Sequence, residues 1–488
     1  MELRSLFLLL PELFLVLTLL SVVISEITYH EEKTRLLKLI SLIGLGGAFL
    51  ETLGLLSVQS VPVFVFSRTW VVDGQALFFK LYFILLTGIT VFISPLDEEL
   101  NGKRQAESFA LLIAACLAMC AVVSSAHLVL LFLTLQMINV LAYLLVSSGK
   151  KRALSVEAGV KFSVAGTLSS GFLLYGVSVL FILTKTLYLY EMQSVLHIGM
   201  VGKEIGFVVF FLLMISLCFQ MGAFPMCFWM PDLIEGAPTI LSGFLSLGTR
   251  VSGVAVALRV LFVLFARPTE WAGKWNIIGD FNWTNMLVVM SGLTLFIGSF
   301  LAIRQNKAKR LVSYLVIAET GFLLIGVLVL EKAGVVSLLY LLITELFSLM
   351  GVFSCLSYLI SRAKTDSLSN IGKTVENIMP EAVFLVLFLL CFIGFPPFPG
   401  FIGKFSLLET AVEKGCYFLA FFAVIALGLE TAAVAKLGLS LLGNLDGVVV
   451  RSAGTHKRGI MIFLLFIPLI SVCLFADRIF HWLDHIVQ

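Results

Sequence analysis

The sequence predicts an all-α polytopic membrane protein of about fourteen transmembrane helices, and three observations carry that prediction. The 488 residues are 60% hydrophobic and 13% charged, with a mean hydropathy of +1.07, whereas a soluble domain is roughly 25% charged. The apolar runs are about 20 residues long, the length of a spanning helix and not the alternating ten or so residues of a barrel strand. Within one such run, Gly394-Phe-Pro-Pro-Phe-Pro-Gly-Phe-Ile-Gly-Lys404-Phe405 cannot stay helical, because each proline removes a backbone donor and clashes one turn back. A helix broken at that depth is tolerated where its freed backbone is buried in protein or lines a wet cavity.

Taken in order, the runs place helices at Ser5 to Ile24, Leu36 to Ser57, Gln75 to Ser94, Ser108 to Ser124, His127 to Val146, Val160 to Thr184 and Gly206 to Phe228. They continue at Pro238 to Phe265, Trp283 to Ile303, Leu311 to Leu330, Gly334 to Ile360, Ala382 to Leu408, Cys416 to Leu442 and Gly459 to Phe475. The amino terminus enters its first run without a small-residue cleavage site and reads as a retained helix. Loops after odd-numbered helices hold basic clusters such as Lys150-Lys151-Arg152 and Lys307-Ala-Lys309-Arg310, while those after even-numbered helices hold scattered bases such as Arg68, Lys185 and Lys332. That asymmetry turns both termini to the outer side.

Two helix breaks suggest a duplication. Gln220-Met-Gly-Ala-Phe-Pro225 interrupts the seventh helix and the Pro396-Pro397 region interrupts the twelfth. Repeats of five helices, an odd number, must be inverted relative to one another, which puts a site near the midplane. The expected organisation is residues 1–104 for helices 1–3, 105–265 and 266–442 for two antiporter-like repeats (helices 4–8 and 9–13), and 443–488 for the last helix.

Several ionisable residues fall inside apolar runs: Glu51, Lys80, His127, Lys161, Arg250, Glu319, Glu345, Lys404 and Glu430. Each charge at a helix centre costs about 2.5–3.5 kcal/mol on insertion scales, so several must pair or meet water. Lys80, Glu51 and Glu430 read as structural, and His127 as a capping or interfacial residue. Lys161, near the start of its predicted helix and after Glu157, reads equally as an interfacial anchor or a working group. Arg250 and Lys404 lie deeper, beside small or helix-breaking residues, and read as functional. The eight cysteines form no CxxC pair, and no Walker motif, Gly-rich dinucleotide turn or Cys/His ligand set is present. Energy must then come from partner subunits or an ion gradient, and no basic stripe points to nucleic acid. Abundant Phe (43) is what a T-rich coding strand would give, and favours an organelle genome.

Three blocks resemble the antiporter-like membrane subunits of respiratory complex I. Phe224-Pro-Met-Cys-Phe-Trp-Met-Pro-Asp232-Leu-Ile-Glu-Gly-Ala-Pro-Thr239 with Gly243-Phe-Leu-Ser246 is similar to that family's FPFHLW-PD-YEGAPTP-AFLS region. Gln305-Asn-Lys-Ala-Lys-Arg-Leu-Val-Ser-Tyr314 and Phe395-Pro-Pro-Phe-Pro-Gly-Phe-Ile-Gly-Lys-Phe405 match two more of its blocks. Glu157-Ala-Gly-Val-Lys161 with Ser170-Gly-Phe-Leu-Leu-Tyr-Gly176 resembles the subunit 2, or N-type, branch. The resemblance covers roughly residues 105 to 410. It implies a proton path on which Lys161 matches the helix 6 lysine, Lys404 the helix 12 lysine, and Arg250 replaces the helix 8 lysine. Gln136 stands for the helix 5 glutamate, Gln220 for the helix 7 lysine, Cys227 for one family histidine and Glu319 for another.

These departures matter chemically. Glutamine holds no titrating proton, arginine does not deprotonate, and losing both members of a buried pair leaves no stranded charge. The resemblance therefore implies a proton-translocating subunit of NADH:ubiquinone oxidoreductase with a partly degraded path, its relay resting on Lys404, Glu319 and Lys161. The alternatives are a subunit of a related cation/proton antiporter or membrane-bound hydrogenase, and a structural subunit that has lost pumping. The resemblance further implies no cofactor in this chain, with flavin, iron-sulfur clusters and quinone in partner subunits. Its implied partners are subunit 4-like and subunit 4L-like neighbours and lipids such as cardiolipin. The implied membrane is the mitochondrial inner membrane, with the bacterial cytoplasmic membrane as the alternative.

Overall fold

The computed structural model describes residues 7–28, 33–58, 62–97, 100, 105–149, 152–197, 203–268, 275–277, 283–374, 379–442 and 456–487. Two of the loop bases used above for orientation, Lys150 and Lys151, lie outside the described residues. "Inner" and "outer" below are the sides assigned by loop charge.

The chain is a bundle of antiparallel helices: α1 Leu10–Thr28, α2 Lys33–Val58, α3 Gly74–Ile93, α4 Gln105–Val123, α5 Leu128–Ser147 and α6 Arg152–Thr184. A short α7 Leu189–His197 precedes the broken seventh crossing, α8 Lys203–Met221 and α9 Trp229–Gly236; α10 Thr239–Leu264 follows. Next come α11 Trp283–Arg304, α12 Ala308–Leu328, α13 Lys332–Ala363 and the short α14 Leu368–Thr374. The broken twelfth crossing is α15 Met379–Phe392 plus α16 Pro399–Glu413, and α17 Tyr417–Leu442, α18 His456–Leu474 and α19 Ala476–Ile486 complete the chain.

Twelve of the described helices are long and apolar enough to span a membrane unaided, and the pair α18/α19, bent by 82°, makes a thirteenth. The twelfth crossing of the sequence reading is absent from that set because its two halves are each too short alone. Two ends differ from expectation. The seventh crossing runs on past Phe228 to Gly236, because α9 resumes after the break. The sixth begins at Arg152 and not near Val160, so Lys161 sits about 13 Å inside it and not at its start.

α10, α12 and α13 are buried along nearly their whole length, while α1, α2, α6, α11 and α17 show most of their apolar surface. Lipid is as apolar as leucine, so close contact, not hydrophobicity, selects the central helices. Gly298 of α11 lies where a Cβ would strike the Ala318 backbone of α12. Serine and threonine hydroxyls inside the helices return to carbonyls one turn back, as Thr87 does to Phe83 (2.8 Å) and Thr90 to Leu86 (2.7 Å), which keeps them satisfied without water.

Some elements were not visible as apolar runs. Two hairpins, β1 Val63–Val65 with β2 Trp70–Val72 and β3 Ala266–Pro268 with β4 Trp275–Ile277, cap outer ends. The tail helix α19 alternates Ile479, Phe480, Leu483 and Ile486 with Asp477, Arg478 and Asp484, the pattern of a helix lying flat at an interface. It is pinned over α3 and α13 by a Tyr340–Phe480 stack (4.6 Å), a Phe78–Trp482 contact (6.3 Å) and a Lys332–Asp484 ion pair (2.9 Å).

Candidate functional site

The second break is built around Lys404. α15 ends at Phe392, Gly394 takes a left-handed φ of +71° that favours glycine, and Phe395 N–H closes onto Leu390 O at 3.0 Å. Breaking the helix frees the carbonyl of Ile393, and Lys404 Nζ donates to it at 2.8 Å. The same ammonium donates to Glu319 Oε1 of α12 at 2.5 Å and to Glu430 Oε2 of α17 at 3.3 Å, with the Phe322 ring 4.2 Å away. All three charged side chains are 0–1% exposed. Glu430, read from sequence as structural, thus belongs to the site; a position count along one helix carries no sign of which neighbouring helix it faces.

Next to this group stands a second ion pair. Arg250 of α10 bonds Glu345 of α13 and donates to Val316 O (3.3 Å), and both side chains are fully buried. Arg250, Glu319, Glu345 and Glu430 each lie close to the middle of their helices, so the five groups share one depth. Their charges act on one another, and those of Arg250 and Glu345 also reach Tyr82 of α3. In the sequence Glu345 is only one more ionisable residue within an apolar run, since nothing local marks it as the partner of a residue 95 positions away.

The first break keeps the backbone device without the charges. Gly222 has φ +72° and Ala223 N–H closes onto Cys218 O at 2.8 Å. The loosened groups go to neutral partners: Phe219 O accepts from Trp229 Nε1 (3.1 Å), Met221 O from Thr320 (3.3 Å), and Phe224 N–H donates to Thr294 (3.0 Å). Gln220 donates to Ser252 at 3.2 Å. Gln136 is half-buried on α5, and among the described residues no hydrogen bond joins it to Gln220. Pro225, Pro396 and Pro397 all lie in the two interruptions, as the sequence required.

Lys161 stands apart from both. It is half-exposed, bonding Glu157 (2.8 Å) and Asp232 (2.9 Å), and Asp232 continues to Arg310 (2.8 Å). Glu235 then joins Arg310 and Lys307, the latter at 2.5 Å, and the six residues line a cavity of about 230 Å³ at the inner mouth of the first half. Burial pushes the Glu235 carboxyl up, but hydrogen bonds from Lys307 and Arg310 outweigh it and hold the group below the usual carboxylate range.

At the outer end, Arg259 makes a two-pronged bond to Asp73 (2.9 Å each) and reaches Tyr190 at 3.2 Å. Burial raises the Asp73 carboxyl, yet Arg259 brings it below its ordinary value. A cavity of about 650 Å³ opens here, roofed by Trp482 and His485 of α19, with Leu258 and Leu339 in its wall. Those two leucines sit about 9–12 Å along α10 and α13 from Arg250 and Glu345. Lys80 of α3 pairs with Glu12 of α1 at 2.6 Å, and among the described residues no group of three His, Cys, Asp or Glu side chains gathers as a metal site.

Comparison with known proteins places this geometry. The sequence profile of the NADH:quinone oxidoreductase/Mrp antiporter transmembrane family matches residues 125–429. The NADH-quinone oxidoreductase subunit N of Nitrosomonas europaea is 30% identical over 417 residues, covering 85% of this chain and 84% of that one. Among solved structures, a chain of respiratory complex I from Thermus thermophilus with bound aureothin superposes with a TM-score of 0.78 at 21% identity, over 96% of this chain and 98% of that one. A chain of the Mrp complex from Dietzia superposes with a TM-score of 0.83 at 16% identity, over 100% and 97%. The relative named here is bacterial, so the mitochondrial location favoured on composition finds no support, and the abundant phenylalanine needs no more than a lipid-facing surface to explain it.

Proposed function

The chain belongs to the NADH:quinone oxidoreductase/Mrp antiporter transmembrane family, and from that premise we propose that it is the subunit N of a proton-translocating NADH:quinone oxidoreductase. It couples quinone reduction elsewhere in the complex to proton transfer across a bacterial cytoplasmic membrane. The observation that carries this reading is Lys404, held between Glu319 and Glu430 beside a mid-membrane helix break. An ammonium set between two carboxyls and a freed carbonyl lets a proton change hands between those carboxyls when any one contact lengthens, and charged groups gathered at that depth mark ion and proton paths.

In this reading the repeats are residues 105–265 and 266–442, flanked by 1–104 and 443–488, and the matching turns at Gly222 and Gly394 support that division. The second half exchanges protons. The first, with Gln136 and Gln220, conducts poorly, and Lys161 holds the ionic mouth on the inner side. Arg250 acts as a fixed cation that orients Glu345. Flavin, iron-sulfur clusters and quinone sit in partner subunits, and subunit 4-like and 4L-like chains and lipids such as cardiolipin border this one. The decisive test is Lys404→Ala in the assembled complex, with proton and electron flux measured together in sealed vesicles. A lowered proton-to-electron ratio is expected; an unchanged ratio overturns the reading.

A further inference from the structure

Two other buried ion pairs in the bundle are matched one to one, Lys80 with Glu12 and Arg259 with Asp73. At the midplane the count differs. Among the described residues two cations, Arg250 and Lys404, meet three carboxyls, Glu319, Glu345 and Glu430, and all five side chains are 0–1% exposed. Fully ionised, the group would carry one uncompensated negative charge in the driest part of the molecule. Desolvation makes that state far costlier than taking up a proton.

We infer that this cluster stores one exchangeable proton on its carboxyls, with Glu430 as the holder and Lys404 as a fixed cation. Arg250 is committed to Glu345. Lys404 lies at 2.5 Å from Glu319 but 3.3 Å from Glu430; charge-assisted bonds are the short ones, so Glu319 is the anion and the longer contact suits a neutral acid. A second observation agrees with this. Among the described residues, the buried atoms Glu430 Oε1, Glu319 Oε2 and Glu345 Oε1 find no hydrogen-bond partner, nor does the Tyr82 hydroxyl. The first gives the stored proton a seat, and the other two are acceptors to which it can pass. A proton that moves from a Glu430 oxygen to Glu319 leaves the cluster neutral, one that departs to water takes it to one negative charge, and the next proton restores it while Lys404 keeps its own. This assignment rests on the proton-transfer reading for its purpose, though not for its charge count.

The test uses the assembled complex, with infrared difference spectra of the protonated carboxyl stretch in H₂O and D₂O and the yield of assembled complex measured side by side. Glu430→Gln mimics the neutral acid: the carboxyl band should vanish while assembly stays at the wild-type level. Glu319→Gln should also abolish the band, because Glu430 must then ionise to serve Lys404. The double variant E319Q/E430Q strands Lys404 and should lower assembly about tenfold or more, and adding Lys404→Met should restore it. A band that persists in both single variants overturns the assignment, as does an E430Q variant that fails to assemble. An unchanged proton-to-electron ratio in Lys404→Ala, with the band present in the wild type and lost in both single variants, would instead overturn the pumping reading and leave the stored proton standing.

Discussion

The two helix breaks are the same backbone turn carrying opposite chemistry. Each has a left-handed glycine, Gly222 or Gly394, followed by an N–H that reaches back five residues. After the first, α9 has 8 residues, and after the second, α16 has 15, or about 12 Å against 22 Å of helix. Lys404 stands ten residues beyond Gly394; the residue ten beyond Gly222 is Asp232. On the short segment that position already lies near the inner mouth, where Asp232 holds Lys161 and Arg310. The first half has therefore not simply lost a lysine. The residue at that position is an acid, partly buried in the ionic mouth, and the midplane of this half is left to Gln220, Ser252, Thr294 and Thr320. α10 shows the division on one helix, with Ser252 serving the first half and Arg250 the second.

The comparison breaks most visibly at Arg250. Arg250→Met leaves Glu345 buried and alone, and removing one partner of such a pair costs about 3–5 kcal/mol. Yield and thermal inactivation midpoint of the assembled complex should both fall sharply, and a compensating Glu345→Leu should recover most of the loss. Gln220→Leu, by contrast, removes one neutral bond to Ser252 and should cost about 1 kcal/mol. If Gln220→Leu proves as damaging as Arg250→Met, the first half has ionic traffic that the hydroxyl and amide contacts do not account for.

Much of this was legible in sequence, and what was missed has a common cause. Proline and glycine punctuate locally, so the breaks at Pro225 and Pro396 and nearly all the spans were readable. So was Lys404, because it follows its own break. The partners were not: Glu345 lies 95 positions from Arg250 and Glu319 lies 85 from Lys404, and helix periodicity does not say which other helix a face meets. The tail helix α19 escaped because an interfacial helix is half polar and fails a hydropathy test. The extra turns at the start of α6 escaped for the same reason, since Arg152 and Glu157 lower the average over a segment that is nonetheless helical.

The smallest expected effect sharpens the other end of the comparison, the ionic mouth that the first half keeps. Glu235 is held below the usual carboxylate range by Lys307 and Arg310 against the upward push of burial, so the unfolded chain binds its proton more readily than the folded one. That contribution to stability is fully present above the ordinary glutamate value of about 4.3. It disappears as pH falls through the lower folded value. The Lys307 ammonium is raised by its hydrogen bond to Glu235, so its share is present below the ordinary lysine value and lost only in strong alkali. Between about pH 5 and 9 the mouth should therefore be insensitive to pH. Glu235→Gln should cost about 1 kcal/mol at neutrality and flatten the acid limb of a thermal-inactivation profile carried from neutrality to well below the ordinary glutamate value of about 4.3. Lys307→Gln, at a half-exposed site where solvent already screens the pair, should cost only a few tenths of a kcal/mol. A loss as large as that of Glu235→Gln would mean that the mouth is covered in the assembled complex.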